Sequence, residues 1–441
     1  MSNKIYPIGI QNFEKIRQDG YFYVDKTALM YQMVKTGSYY FLSRPRRFGK
    51  SLLISTLEAY FQGKKELFAG LMVEKLEKDW IEHPILHLDL NIEKYDVSES
   101  LDNILDKSLT AWEKLYGAEP SERSFSLRFA GIIERAYEKT GQRVVILVDE
   151  YDKPMLQAIG NEDLQKQFRD TLKPFYGALK TMDGCIKFAL LTGVTKFGKV
   201  SVFSDLNNLK DISMDERFVD ICGITEKEIH DNLEEELHQL AEKQKMSYEQ
   251  VCAELKECYD GYHFVEHTIG IYNPFSLLNT FDKMKFGSYW FETGTPTYLV
   301  NLLKKHHYDL ERMAHEETDE QVLNSIDSES SNPIPVIYQS GYLTIKGYDE
   351  EFGIYRLGFP NREVEEGFVR FLLPYYANVN KVESPFEIQK FVREVEAGDY
   401  NSFFHRLQSF FADTTYEVIR DQELHYENVL FIVFKLLGFY T

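Results

Sequence analysis

The stretch Phe41-Leu42-Ser43-Arg44-Pro45-Arg46-Arg47-Phe48-Gly49-Lys50-Ser51 constrains the fold most, because an apolar, strand-like run feeds a basic loop that ends in Gly-Lys-Ser. Leu52 to Phe61 then read as a helix, so strand, loop and helix follow in the order a phosphate cradle needs. The first amides of a helix have no partner within it and lie at the positive end of its dipole, which makes an anion their natural guest. Gly49 lets the backbone approach a phosphate closely, Lys50 is long enough for the β- and γ-phosphates, and the Ser51 hydroxyl suits Mg²⁺. The pattern G-x-x-x-x-G-K-[ST] is met only in its second half, since Arg44 stands at the first glycine. On its own the loop also reads as a solvated basic turn opening a helix.

A second element narrows the choice. Residues 143 to 154 run Arg-Val-Val-Ile-Leu-Val-Asp-Glu-Tyr-Asp-Lys-Pro, an apolar run ending in paired carboxylates. That is how a fully buried parallel strand reads when it stops at an active-site edge. Asp149 would then hold the magnesium shell and Glu150 would polarise an attacking water. The competing reading is a strand end whose carboxylates cap the next helix. The two elements together, in this order, point to nucleotide binding.

These residues, with Tyr6 to Phe61 (Pro-Ile-Gly-Ile, Tyr-Val-Asp-Lys-Thr and the basic loop) and Asp149 to Pro154, resemble the bacterial AAA-ATPase-like family. Leu191 to Phe197, Tyr259-Asp260-Gly261-Tyr262, Tyr272-Asn273-Pro274-Phe275 and Thr293-Gly294-Thr295-Pro296 carry the likeness over nearly the whole chain. Arg44 in the loop is usual for that family. The resemblance implies an α/β fold of the P-loop NTPase type, ATP and Mg²⁺ as ligands, and a PD-(D/E)xK nuclease-like region at the C-terminus. Here the sequence ends in Gly438-Phe439-Tyr440-Thr441, before strands bearing such a metal site, and Glu427 alone cannot assemble one. No nuclease activity is therefore expected of this polypeptide, and a truncated gene or a fragment is expected.

With 44% hydrophobic and 15% aromatic residues, 441 residues can bury a large core in two or three domains. No apolar run approaches membrane-spanning length and no secretory leader is visible, so a cytoplasmic protein with no membrane partner is expected. Cys185, Cys222, Cys252 and Cys258 are scattered without a C-x-x-C pair, which fits reduced thiols. The net charge of −20 argues against broad nucleic-acid binding. Residues 1–50 nevertheless carry nine Lys or Arg against three Asp or Glu, so the anion-facing surface is local.

Along the chain, Asp25 is expected to cap a helix running to about Val34, with a nucleotide contact as the lesser alternative. Pro84 to Asn91 reads as the second strand. His83 and His87 on it would lie about 13 Å apart, too far to share a zinc. Asp89 at its end is a candidate for ordering magnesium or water, or an ordinary turn carboxylate. Helices are expected within 97–139 and from Glu162 to Lys180, and Cys185 to Thr192 is the next buried strand. Thr192 and Thr195 follow, either as hydroxyls that sense a γ-phosphate or as satisfied turn threonines. Phe218 to Gly223 reads as the fifth strand. Thr225-Glu-Lys-Glu228 is a capping box that opens acidic helices to residue 258. The aromatics of 271–376 read as core, residues 339–346 and 353–359 as two strands of a winged-helix-like module with a helix after Asn361, and 384–441 as helices.

The expected plan is thus a mostly parallel P-loop core at 1–222, a helical lid and winged-helix-like region at 223–380, and a helical start of a nuclease-like domain at 381–441. Arg46, Arg47, Phe48, Gly49, Lys50, Ser51, Leu52 and Thr192 are the candidate nucleotide contacts, Ser51 and Asp149 the metal ligands, and Asp149 and Glu150 the catalytic carboxylates. Arg44, Arg46 and Arg47 exceed what phosphate binding needs and are candidates for action in the site or across a homo-oligomer contact. The expected activity is magnesium-dependent ATP hydrolysis coupled to lid movement. The alternatives are a nucleotide-gated switch with little turnover and a DNA-processing protein of a mobile element or defence system, for which nucleic acid would be a partner.

Overall fold

The computed structural model describes residues 4–196, 202–203, 206–291, 297–324, 332–377, 379–380, 383–412 and 422–439. Of the motif stretches, Thr293 to Pro296 and Phe197 lie outside the described residues.

The first half is a five-stranded, wholly parallel sheet in the order β2-β3-β4-β1-β5, built from β1 (Tyr39–Ser43), β2 (Ile85–Asp89), β3 (Val144–Asp149), β4 (Ile186–Gly193) and β5 (Lys210–Asp211). β1 and β3 are buried along their whole length, as central strands covered by helices on both faces must be. Edge strand β2 instead alternates buried and half-buried residues. The helix Lys50–Phe61 leaves the end of β1 and packs over β3 and β4. Helices Glu99–Tyr116, Phe125–Thr140 and Glu162–Thr181 pack against one another in sequence. Each of the last two is started by a side chain that accepts a first-turn amide, Ser124 from Leu127 and Asn161 from Leu164.

The fifth strand differs from the sequence expectation. Phe218 opens no strand: Glu216–Phe218 is a short 3₁₀ turn, and the strand beside β1 is the two-residue Lys210–Asp211. Phe218, Val219, Ile221 and Cys222 are buried, and the Phe218 and Val219 carbonyls accept from Arg44 of the basic loop, so their apolar run mimics a strand signal.

Beyond residue 222, β6 (Ile224–Thr225) pairs antiparallel with β7 (Ile271–Tyr272). The Thr225–Glu228 capping box starts helix Glu226–Gln244 as expected, and a second box, Ser247 with Gln250, starts Tyr248–Tyr259. Residues from Ile224 to Phe281 have their own apolar core around Leu233, Leu237, Leu240, Tyr259 and Leu277. A small antiparallel sheet, β8 (Glu317–Asp319), β10 (Ile354–Gly358) and β9 (Thr344–Asp349) in that order, precedes helix Arg362–Tyr376, whose Asn361 cap accepts from the Val364 amide. Its core is continuous with that of the parallel sheet. Helices Ser384–Glu396, Tyr400–Ala412 and Gln422–Gly438 follow. Among the described residues, no helix is long and apolar enough to cross a membrane.

Candidate functional site

The sheet order decides which residues meet. Because β4 lies between β1 and β3, its C-terminal end separates the basic loop from the paired carboxylates. Thr192 on β4 pairs with Leu42 on β1, and Asp89 on β2 pairs with Asp149 on β3. The buried Thr192 hydroxyl donates to Asp149 Oδ1 at 2.6 Å, tying the two inner strand ends together.

The loop is held by its carbonyls. Lys50 Nζ turns back across it to the Arg44 and Pro45 oxygens at 2.9 and 3.1 Å. The Arg46 oxygen accepts from Trp290 Nε1 at 2.9 Å, and the Phe48 oxygen from the Gly223 amide at 3.0 Å. By contrast, among the described residues none of the amides of Arg46, Arg47, Phe48, Gly49, Lys50 and Ser51 donates a hydrogen bond within the protein. Left-handed backbone at Arg47 (φ 67°) and at Gly49 (φ 99°) winds this row of donors into the start of the helix.

The three loop arginines have separate fates. Arg44 is a buried plug, 1% exposed, whose guanidinium donates to the carbonyl oxygens of Ser43, Ser213, Phe218 and Val219 and lies 4.0 Å above the Phe264 ring. It therefore neither faces the cradle nor reaches the surface. Arg46 is half-buried over the Trp290 ring, while Arg47 is exposed and 5.1 Å over Phe275. The Phe48 side chain is also turned away, packed on Tyr262 and Phe264, so only its backbone borders the cradle. Leu52 and Gly49 border an apolar cavity of about 100 Å³ whose other walls include Phe22, Tyr23, Ile224 and Leu278.

At the β3 end, Glu150 adopts a left-handed backbone (φ 54°), and its amide donates to Asp149 Oδ1 at 3.1 Å. Burial raises the Glu150 carboxyl above its ordinary pKa; Lys50 opposes the rise, and Asp152 and Asp149 add to it. Asp89 uses Oδ1 to close a turn with the Asn91 amide at 2.8 Å. His87, two residues earlier, pairs with Glu58 of the loop helix at 3.1 Å, and His83 bonds to the Arg143 carbonyl oxygen. Asp25 is spent on structure, accepting from Thr27 and from the Met72 amide.

Sequence reasoning missed Asp152. This buried carboxylate accepts from the Val194 amide, the Thr195 amide and the Thr195 hydroxyl at 3.2, 2.6 and 2.7 Å, so Thr195 points at Asp152 while Thr192 points at Asp149. Burial raises its pKa even though those hydrogen bonds lower it. Its signal was present as the third acid of Asp149-Glu150-Tyr151-Asp152. The next residue, Lys196, donates its amide to Gln339 Oε1 at 2.6 Å and pairs its ammonium with Asp211 at 2.9 Å, so the segment after β4 is gripped from both halves of the chain.

The model of a family described as predicted AAA-ATPase matches residues 7–203, which contain the whole loop and both carboxylate-bearing strands. An uncharacterized protein in the vnfD 5' region of Azotobacter chroococcum mcd 1 is 36% identical over 452 aligned positions, which cover 99% of this chain and 84% of that protein. The chain belongs to the AAA-ATPase-like family of predicted, nucleotide-binding ATPases.

Proposed function

We propose that the chain binds ATP with Mg²⁺ at Arg46 to Ser51 and hydrolyses it, with the helical region after residue 222 moving as it does so. The observation that carries this reading is the row of amides from Arg46 to Ser51, none of which donates a hydrogen bond among the described residues, at the start of an α-helix, beside Arg46 and Phe48 carbonyls held from outside the loop by Trp290 and Gly223. Such a row concentrates positive potential where a polyphosphate would lie. The apolar cavity beside Gly49 and Leu52 gives a base somewhere to go.

The donor set also fits the metal: Ser51 in the first helical turn and Asp149, held by Thr192, are oxygen ligands of the kind Mg²⁺ takes. When bound, the ion would neutralise charge developing on the phosphates. In this reading Lys50 leaves the Arg44 and Pro45 carbonyls for the phosphates. Glu150 would orient an attacking water from its half-buried position, and the Thr192 hydroxyl fixes Asp149, one of the residues that would hold the ion. The domain plan in this reading is the parallel core at 1–222, a helical lid and winged-helix-like region at 223–380, and the helices of 381–441.

A switch with little turnover is the second reading, favoured by the ties that Trp290, Gln339 and Tyr342 make to the core. Both readings are tested by ATP binding and steady-state hydrolysis with magnesium for the full chain and two variants. Lys50→Ala is expected to lose tight binding, and Glu150→Gln to bind while turnover falls about 10²-fold or more. Binding without turnover in the unaltered chain selects the switch. Normal hydrolysis by both variants overturns the assignment of the site.

A further inference from the structure

The loop touches the second half of the chain at almost every residue. Arg44 stacks on Phe264, Pro45 seats against Gly341, Arg47 lies over Phe275, and Phe48 packs on Tyr262 and Phe264. Most of these contacts are packing. Those at Arg46 are different in kind, because they hold both its backbone and its charge.

Trp290 is fully buried, and its indole Nε1–H donates to the Arg46 carbonyl oxygen at 2.9 Å while the same ring lies 4.7 Å beneath the Arg46 guanidinium. Arg46 Nη2 donates to the Tyr342 hydroxyl at 3.3 Å, and Tyr342 meets Trp290 edge-on with ring centroids 5.3 Å apart. Among the described residues the buried Arg46 Nε has no acceptor. Trp290 is itself fixed: its amide donates to Glu363 Oε1 at 2.7 Å, and that oxygen also accepts from the Ser276 hydroxyl at 3.0 Å. Glu363 lies in the first turn of helix Arg362–Tyr376 and Ser276 in that of Pro274–Lys283. The indole is therefore rigidly attached to two helices beyond the core.

Resting on the nucleotide-binding reading above, we propose that Trp290 and Tyr342 are positioning residues for the phosphate loop, and that the second half of the chain registers an occupied cradle through Arg46. The indole bond turns the Arg46 carbonyl outward, which leaves the neighbouring amides facing the cradle. The Arg46 charge is shared between an aromatic face and any phosphate that arrives, so occupancy alters its stacking on Trp290. Linkage makes the effect mutual: whatever nucleotide does to the cage, the cage does to nucleotide affinity.

The test uses the full chain with magnesium and ATP, reading calorimetric affinity together with tryptophan emission, for the unaltered protein, Trp290→Phe and Tyr342→Phe. Trp290→Phe keeps a ring under Arg46 but loses the N–H, and is expected to bind about five-fold more weakly, the worth of one hydrogen bond. The nucleotide-induced emission change of the unaltered protein is expected to vanish in this variant although it still binds. Tyr342→Phe is expected to retain its melting temperature and to alter the emission response. If Trp290→Phe binds with unchanged affinity or keeps the full emission change, this proposal falls while the nucleotide reading stands. If Trp290→Phe does not fold, unchanged affinity and emission in Tyr342→Phe overturn it. Failure of the unaltered chain to bind ATP overturns the nucleotide reading instead.

Discussion

Arg44→Met isolates the buried plug from the row of loop amides beside it. Methionine roughly fills the space but donates nothing, so the carbonyls of Ser43 and Ser213, bonded at 3.0 and 2.7 Å, lose their close partners, and those of Phe218 and Val219 lose longer ones. A hydrogen bond from a charged donor contributes about 1.5–3 kcal/mol, so the two short bonds amount to about 3–6 kcal/mol. Relief of burying a guanidinium returns part of this, and burial does disfavour its charged form. A net loss of about 3 kcal/mol is expected, which at about 1 °C per kcal/mol for 441 residues lowers the melting midpoint by about 3 °C. Differential scanning fluorimetry reads this shift, and ATP affinity measured well below the midpoint is expected to stay within about three-fold of the unaltered chain. The reasoning is refuted if Arg44→Met melts with the unaltered protein and binds ATP poorly, because Arg44 would then serve the phosphates and not the carbonyls behind the loop.

Gly341→Ala is expected to disturb the loop from beneath, since the new Cβ would lie 2.5 Å from Pro45 Cβ at a backbone φ of +87°. Gly353→Ala, at φ +67° with its nearest neighbour 3.8 Å away, carries strain without the clash. Both should lower the melting midpoint, at about 1–3 kcal/mol for the strained backbone, and equal ATP affinity in the two would show that Pro45 does not rest on Gly341. Glu77 provides a pH test: burial alone would raise its carboxyl, but the Tyr60 hydroxyl, the Asp79 and Lys78 amides and Lys35 hold it down to about 2. A depressed carboxylate pKa means stability that is present above the unfolded value and lost as pH falls through the folded one. The unaltered chain should therefore lose stability between about pH 5 and 2 more steeply than Glu77→Gln, whose deficit at pH 7 is about 2 kcal/mol; parallel unfolding midpoints across that range would contradict this.

The parts of the fold that sequence revealed are those where one physical demand dominates. β1 and β3 are covered on both faces and so appear as apolar runs, β4 is interrupted by the half-buried Lys187, and Thr225 and Asn361 announce helix starts because few side chains satisfy a first-turn amide. β5 was misplaced because two charged residues at an edge carry no period, whereas Phe218 to Cys222 are apolar for another reason. At the candidate site, the strand–loop–helix order around Gly49-Lys50-Ser51 and the strand ending at Asp149 were legible. The inward turn of Arg44 was not, since a basic residue in a basic loop gives no sign that its partners are carbonyls of residues 213–219. Trp290 was read correctly as core, but a core indole does not declare which carbonyl its one N–H will find.

The contacts around Arg46 also bear on how the protein is made. Arg46 and the tyrosine that receives its guanidinium are 296 residues apart in the chain. Ribosomes add about 5–20 residues per second, so this loop emerges roughly 15–60 s before the residues that brace it. The parallel sheet has all its strands by residue 211, long before Trp290 and Tyr342 exist. During synthesis there is thus an interval in which a nascent parallel core carries its Gly-Lys-Ser without the Trp290 and Tyr342 contacts that hold Arg46 in the folded chain.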